Sequence, residues 1–227
     1  MLDCYEQLLA QPPRVERADG KTVTLALTGA SGMPYGMRLL QCLLASGARV
    51  WLLYSQVAQI VAKQEMDWLL PSRAADVEQA LAMRFEAAPG QLKVFGREEW
   101  FAPVASGSHP ADAMVVCPCT MGTLAAIAHG MSDNLIERAA DVMLKERKPL
   151  VLVPRETPFS VIHLDNMALL ARAGATILPP NPGFYTHPQA VGDLIDFVVS
   201  RILDQIGIGN ALIKRWGGLE DAPAFEC

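Results

Sequence analysis

The chain has 227 residues, of which 51% are hydrophobic and 19% are charged, and its formal net charge is −5. This composition suits one compact domain with a large core and excludes a chain that is disordered over most of its length. The acidic balance disfavours a nucleic-acid-binding protein, and no uninterrupted apolar run reaches the roughly 18 residues that a membrane-spanning helix requires.

The first half of the chain alternates apolar strands with helical patterns. A strand, a glycine-rich turn, a helix and a second strand follow one another at the short spacing typical of a βαβ unit in a parallel sheet. Residues 68–101 give no clear pattern. The predicted elements are a short helix with a Pro-containing lead-in (1–20), a strand (22–27), a helix closed by Gly47 (37–47), a strand (48–55) and a helix (55–63).

The second half repeats this alternation. Thr120 and Gly130 stand where they can begin and end one helix, and Ser132 or Asp133 can cap the next. The predicted elements are a strand (111–119), a helix (120–130), a helix (132–148), a strand (149–154), a helix (161–174), a strand (175–180) and a long amphipathic helix (188–208).

Buried strands alternating with helices predict an α/β fold with a doubly wound, mostly parallel sheet. It would be a flavodoxin-like or Rossmann-like three-layer single domain. We divide the chain into an N-terminal lead-in (1–20), an α/β domain (21–208) and a polar C-terminal tail (209–227). Such folds bind ligands at the carboxyl ends of the strands. Segments that directly follow strands should therefore meet at one crevice: residues 28–36, Ser55, residues 117–123 and residues 154–158.

The turn TGASGMPYG (28–36) has glycines at positions 29, 32 and 36 and a hydroxyl at Ser31. Glycines let the backbone approach a phosphate, and the helix that follows directs its free N–H groups and positive dipole end at the anion. The spacing is not the dinucleotide GxGxxG, and Tyr54 and Ser55 stand where an acidic ribose ligand would be expected. We therefore predict phosphate binding without NAD-type ribose recognition; tight packing alone is the alternative.

Thr120 and Thr123 stand at the next helix start. Ordinary N-capping, worth about 1 kcal/mol, is by itself the better explanation of these two residues. Two helix starts at one crevice nevertheless make a mononucleotide a more plausible ligand than either start does alone.

A basic and an acidic residue, Arg155 and Glu156, follow a predicted strand between two prolines. A site that holds an anion and moves a proton needs such a pair. Lys145 lies in the charged stretch LKERK, which is typical of a solvated helix face. Arg201 lies in an apolar stretch, which predicts burial beside an anion. Trp100 and Tyr185 can each be explained by packing.

Cysteine and histidine spacing argues against metal and redox sites. Cys117 and Cys119 are too close for a CxxC pair, and Cys42 falls in an apolar helical pattern typical of a buried thiol. The four histidines match no metal-ligand spacing, and GxSxG is absent. Residues 1–20 lack the basic start and apolar core of a signal peptide. We expect a cytoplasmic protein without a metal ion.

Three stretches carry a specific resemblance. TGASGMPYG, LIERAADVMLKERKPLVLVPRETPFS and PGFYTHP resemble, in order and spacing, the UbiX family of flavin prenyltransferases. The resemblance runs from about Thr22 to Ile208. It implies a flavin-binding domain that joins a dimethylallyl group from dimethylallyl phosphate to N5 and C6 of reduced FMN. It also implies no metal ion, a homododecamer, no nucleic acid or membrane partner, and a UbiD-type decarboxylase that receives the prenylated FMN.

The resemblance also implies site residues, some of them supplied by a neighbouring subunit. Tyr185, Arg201 and Lys145 are expected to bind the donor's phosphate, with Arg155 adding charge. The face of Trp100 would stabilise a cation-like allyl fragment, and Glu156 would shuttle the proton that ring closure releases. The expected FMN-binding residues are Gly29, Ala30, Ser31, Ser55, Thr120, Met121, Gly122, Thr123 and Arg155; the expected catalytic residues are Glu156, Lys145, Trp100 and Arg138.

Two alternatives remain at this stage. A flavin-dependent cysteine-type decarboxylase shares the glycine turn, although its Pro-Ala-Met-Asn motif is not found. A non-catalytic FMN carrier would leave Glu156, Lys145 and Trp100 without a role. The sequence leaves open whether the product serves ubiquinone synthesis or aromatic-acid decarboxylation. It also leaves open whether the phosphate or the pyrophosphate is the preferred donor.

Overall fold

The structure is a computed structural model that describes residues 2–215. Within this range, six parallel strands form one sheet with helices on both faces. The strands are β1 (Thr22–Leu27), β2 (Arg49–Tyr54), β3 (Leu92–Phe95), β4 (Ala113–Cys119), β5 (Leu150–Pro154) and β6 (Thr176–Ile177). The helices are α1 (Leu2–Ala10), α2 (Met33–Ala45), α3 (Gln56–Met66), α4 (Ala74–Arg84), α5 (Met121–Ala128), α6 (Leu135–Lys145), α7 (Val161–Arg172) and α8 (Val191–Gln205).

The strand order is β3-β2-β1-β4-β5-β6. This is the order of a doubly wound sheet, and the direction of winding reverses between β1 and β4. The predicted fold class is therefore confirmed. Because ligands of such sheets bind where the order reverses, the ends of β1 and β4 are where a site is expected.

Two apolar clusters, one on each face of the sheet, hold the layers together. The α2/α8 cluster is built from the sheet and helices α2, α3, α4 and α8. The α5–α7 cluster is built from the sheet and helices α5, α6 and α7. The alternation of side chains along each strand divides it between the two clusters. In β1, Leu25 and Leu27 belong to the first cluster, whereas Ala26 belongs to the second.

Strand β4 breaks this alternation at its end. Val115 and Cys117 belong to the α2/α8 cluster, whereas Cys119 belongs to the α5–α7 cluster. The pairing with β5 shifts between Val116 and Cys119, which is the signature of an extra residue in the strand. The turn that starts α5 is therefore set by a bulge at Pro118.

Several boundaries differ from the predicted ones. Helix α2 begins at Met33 rather than at residue 37, since Gly32 ends the turn with φ 117° and Pro34 suits a first helical turn. Helix α6 is capped by Asn134, not by Ser132 or Asp133. Strand β6 has only two residues, because Pro179 and Pro180 cannot continue the ladder.

The lead-in and the tail have defined places as far as the structure describes them. Helix α1 inserts Leu8 into the α2/α8 cluster, and the buried guanidinium of Arg38 donates to the carbonyls of Leu8 and Gln11. Val15 pairs with Asn210 in an antiparallel bridge. The predicted tail (209–227) lies largely outside the described residues.

Candidate functional site

A buried hydroxyl ties the ends of β1 and β4 together. Thr28 is 1% exposed, and its hydroxyl donates to the Pro118 carbonyl at 2.8 Å while accepting from the Thr120 N–H at 2.8 Å. The Thr28 N–H also donates to the Pro118 carbonyl, at 3.2 Å. The two turns that border the crevice are therefore held at a fixed spacing. We use the term nucleotide crevice for the space bordered by residues 28–31, Ser55 and residues 120–123.

The glycines of the first turn have separate structural reasons. A Cβ atom at Gly29 would lie 2.4 Å from Val57 Cγ1, and one at Gly36 would lie 2.6 Å from the Cys117 carbonyl oxygen. Tight packing therefore accounts for these two positions. Gly32 adopts a left-handed φ of 117°, which an L side chain rarely tolerates. Between them, Ala30 is buried and Ser31 is exposed.

An internal carboxylate occupies the start of α2. Glu65, at the end of α3, accepts from the Gly32 N–H at 3.0 Å and from the Met33 N–H at 2.8 Å. These two N–H groups therefore have an internal acceptor already, and phosphate binding by the rest of the turn stays a prediction. Sequence reasoning missed Glu65, since a glutamate in the last turn of a helix looks like an ordinary solvated charge.

The starts of α3 and α5 remain available to an anion. Ser55 caps α3 by accepting from the Ala58 N–H at 3.2 Å. Thr120 caps α5 by accepting from the Thr123 N–H at 3.1 Å, and it donates to the Thr123 hydroxyl at 2.9 Å. The first N–H groups of each helix have no intrahelical acceptor, and the helix dipole makes both ends positive. Capping and anion binding are thus compatible here.

Arg155 and Glu156 follow β5 directly. The Arg155 N–H donates to the Cys119 carbonyl at 3.3 Å, which attaches this turn to the start of α5. The side chain of Arg155 is exposed, whereas Glu156 is half-buried and accepts from the Thr157 N–H at 3.2 Å. A cation and a carboxylate therefore border the nucleotide crevice on its β5 side.

Arg138 and Lys145 lie on α6, which runs from the carboxyl edge of the sheet back to its amino edge. Arg138 pairs with Asp141 at 2.6 Å and donates to the Ala105 carbonyl at 3.0 Å. Lys145 is exposed at the far end of the helix and pairs with Glu146. One chain therefore does not bring Lys145 to the nucleotide crevice. Trp100, which is 44% exposed, lies in the loop after β3.

Tyr185 and Arg201 lie beside a separate cleft of about 340 Å³, which is lined by residues 176–179, Phe197 and Arg201 among others. The ring of Tyr185 packs edge-to-face on Phe197, with centroids 5.7 Å apart. The Arg201 side chain is 51% exposed and pairs with Asp204 at 2.9 Å. The predicted burial of Arg201 is therefore wrong within one chain, because the residue falls outside the buried stripe of α8.

The cysteines near the crevice are inert thiols. Burial raises the pKa of the Cys119 thiol to about 12 and raises the pKa of the Cys117 thiol further. The two side chains belong to opposite faces of the sheet, so they cannot pair with each other. The predicted burial of Cys42 is confirmed.

Among residues 2–215, no group of three or more histidine, cysteine, aspartate or glutamate side chains is placed to hold a metal ion. None of the helices described is both long and apolar enough to cross a membrane.

Comparison with known proteins gives consistent matches. The Flavoprotein family model matches residues 13–203. Flavin prenyltransferase UbiX of Pseudomonas aeruginosa is 55% identical over 195 residues, which cover 86% of this chain and 93% of that protein. A crystal structure of AnUbiX (PadA1) in complex with FMN and dimethylallyl pyrophosphate has a TM-score of 0.78 at 43% identity, covering 88% of this chain and 99% of that one.

A second structure adds information on assembly. The dodecameric FMN-dependent Ubix-like decarboxylase from Escherichia coli O157:H7 has a TM-score of 0.76 at 39% identity, covering 87% of this chain and 100% of that one. The region matched by the family model, residues 13–203, contains the nucleotide crevice, Tyr185 and Arg201, and it leaves out α1.

Proposed function

Because the chain belongs to the UbiX family of flavin prenyltransferases, we propose that it joins a dimethylallyl group from dimethylallyl phosphate to N5 and C6 of reduced FMN. The observation that carries this proposal is the 55% identity over 195 residues to the Pseudomonas aeruginosa relative. The prenylated FMN would be delivered to a UbiD-type decarboxylase, in ubiquinone synthesis or in aromatic-acid decarboxylation. The protein would act in the cytoplasm.

The nucleotide crevice fits FMN in its chemistry. Two positive helix ends, the hydroxyls of Ser55, Thr120 and Thr123, and the exposed Arg155 form a donor set suited to a phosphate monoester. Reduced FMN supplies the electron-rich ring atoms N5 and C6 that accept the prenyl group. The proposed FMN-binding residues are Gly29, Ala30, Ser31, Ser55, Thr120, Met121, Gly122, Thr123 and Arg155.

The donor's phosphate would be held by Tyr185 and Arg201, with Lys145 and Arg155 adding positive charge. Cleavage of an allylic C–O bond leaves a phosphate dianion, and cations placed in advance stabilise it without reorganisation. The indole of Trp100 would face the allyl group, where a cation–π contact is worth roughly 0.5–2 kcal/mol. Its 44% exposure in one chain leaves a ring face accessible to a ligand.

Two carboxylates border the crevice, and they differ in what they already bind. Glu65 binds the N–H groups at the start of α2, whereas Glu156, among the residues that the structure describes, accepts only from the adjacent Thr157 N–H. Glu156 would therefore take up the proton that ring closure releases, on its carboxylate oxygens, and pass it to the departing phosphate or to water.

The complete site would require neighbouring copies of the chain. Lys145 and Arg138 point to this requirement, because α6 carries Lys145 to the edge of the sheet opposite the nucleotide crevice. The dodecameric state of the Escherichia coli relative supports a homododecamer here. In such an assembly Lys145 of one copy could complete the crevice of another.

One anaerobic experiment tests the activity. The purified protein is mixed with reduced FMN and either dimethylallyl phosphate or dimethylallyl pyrophosphate, and the released flavin is examined by mass spectrometry. We expect a mass gain of one dimethylallyl group, and the rates with the two donors show which one is preferred. Tight flavin binding without any mass gain would favour a carrier. Evolution of CO₂ from an added carboxylic acid, again without flavin modification, would favour a decarboxylase, the activity that names the Escherichia coli relative.

A further inference from the structure

The cleft beside α8 contains an arginine whose hydrogen-bonding capacity is only partly used. Within residues 2–215, Arg201 donates only through Nη1, to Asp204 Oδ2 at 2.9 Å. Arg38 provides the contrast, since its Nε and Nη2 both bind Asp196 and its Nη1 contacts three more acceptors. Arg38 is a structural arginine, whereas Arg201 keeps Nε and Nη2 available for a planar, two-point contact with an oxyanion.

Asp204 is itself held firmly from the other side. Its Oδ1 accepts from Arg215 Nη2 at 2.9 Å and from Asn210 Nδ2 at 3.2 Å, and its Oδ2, which binds Arg201, also accepts from Arg215 Nη1 at 3.5 Å. The Asp204 side chain is only 18% exposed. Asn210 in turn is fixed by its backbone bridge to Val15. The Asp204 carboxylate is therefore fixed in place, and its hydrogen bond to Nη1 orients the Arg201 guanidinium.

We propose that Asp204 is a positioning residue for the prenyl donor: it fixes Arg201 through Nη1 and leaves Nε and Nη2 to bind the donor's phosphate. This inference rests on the proposed function, because it assigns Arg201 to a phosphate monoester. Arg201, Arg215 and Asp204 together carry a net charge of +1, so the cluster attracts a dianion although each carboxylate oxygen is already paired. The cleft that Arg201 lines, of about 340 Å³, is large enough for a small phosphate ester.

The cluster also extends the site beyond the matched family region. Asp204, Asn210 and Arg215 all follow residue 203, where the family match ends. The lead-in and the segment after α8 would thus contribute to donor affinity through Asp204 although they touch no ligand.

The test is a double-mutant cycle on donor binding. Binding of dimethylallyl phosphate to the FMN-loaded protein is measured by calorimetry with the flavin kept oxidised, so that no transfer occurs. Asp204→Asn should weaken donor binding about three- to tenfold, because the Arg201 side chain must then be ordered on binding rather than beforehand. In the Arg201→Ala background the same change should have no further effect, since residues that act through one another are not additive. FMN affinity should not change.

Two control variants distinguish a specific effect of Asp204 on donor binding from a general loss of stability. Asp76→Asn breaks another arginine–aspartate pair three residues apart, Arg73–Asp76 at the start of α4, and should leave donor affinity unchanged. Asp204→Glu keeps the charge and should recover affinity to within about twofold of wild type. Thermal unfolding identifies any variant that is misfolded, and Asp204→Ser replaces the Asn variant in the cycle if that variant does not fold.

The outcomes separate the two levels of inference. Wild-type protein that binds no donor overturns both the proposed function and the role of Asp204. If Arg201→Ala weakens donor binding but Asp204→Asn does not, the positioning role alone is wrong. If the effect of Asp204→Asn persists in full in the Arg201→Ala background, Asp204 does not act through Arg201. In steady-state assays, support for the proposal requires a raised KM for the donor at an unchanged kcat.

Discussion

Replacing Thr28 by valine should weaken both the fold and flavin binding, because one hydroxyl joins the two turns at the nucleotide crevice. Valine keeps the shape of threonine but leaves the Thr120 N–H without its acceptor at 2.8 Å. The Pro118 carbonyl still accepts from the Thr28 N–H at 3.2 Å, so only the Thr120 N–H loses its partner. Leaving a buried donor without an acceptor lowers the free energy of unfolding by roughly 1–3 kcal/mol. A loss of about 2 kcal/mol lowers Tm by roughly 4–8 °C in a chain of this size.

The assay pairs thermal unfolding at one fixed protein concentration with a fluorescence titration of FMN. We expect Thr28→Val to lower Tm by that amount and to weaken FMN binding about tenfold, because Thr120 then no longer holds the start of α5 in place. Thr28→Ser, which keeps the hydroxyl, should retain FMN affinity. Thr22→Val, at the other end of β1, where the backbone N–H rather than the hydroxyl binds Asp112, should change neither quantity. Wild-type stability together with wild-type FMN affinity in Thr28→Val would refute this reasoning.

Three further predictions concern the chemistry and the thiols. Glu156→Gln should retain FMN but slow prenyl-flavin formation about a hundredfold or more in a stopped anaerobic assay, since a general base typically contributes that much; unchanged turnover would remove Glu156 from the mechanism. Arg201→Ala should raise the KM for dimethylallyl phosphate without changing FMN affinity, and an unaltered KM would exclude it from donor binding. Stability should fall between about pH 9 and pH 12, because buried Cys42 and Cys119 have pKa values raised to about 12 and stay protonated while unfolded thiols ionise. Each thiol contributes a slope of about 1.4 kcal/mol per pH unit, and urea titrations of Cys119→Ala should show a shallower slope; an identical slope would contradict the assignment.

The alternation of strands and helices could be predicted from the sequence because it is written in local patterns. Buried parallel strands are continuous apolar runs, and Thr22–Leu27 and Leu150–Pro154 stand out as such. Helix α4 and strand β3 were not predicted because their hydrophobic pattern is weak. Helix α4 buries only Val77 and Leu81. A helix with so narrow an apolar face gives little periodicity to detect.

Features that depend on tertiary contacts could not be predicted in this way. Residues at the ends of strands could be placed near the crevice, because topology alone carries Ser55, Thr120 and Arg155 there. The partner of the α2 start could not, since Glu65 lies 33 residues beyond Gly32 and reaches it only after α3 has packed. The exposure of Arg201 likewise depends on how α8 rotates against the sheet, which the apolar stretch around it does not reveal.

Pro118 is an extra residue that shifts the side-chain alternation of β4. Up to Cys117, successive side chains of the strand alternate between the two clusters. Because of the inserted residue, Cys119 lies in the opposite cluster from Cys117, although residues two apart in a regular strand share one face. A deletion of Pro118 would restore one-to-one pairing with β5 and keep Cys119 on its present side of the sheet. It would also remove the carbonyl that accepts from the Thr28 hydroxyl, and with it part of the link between the two turns at the crevice. The placement of Thr120 and Thr123 beside a ligand thus depends on one inserted proline.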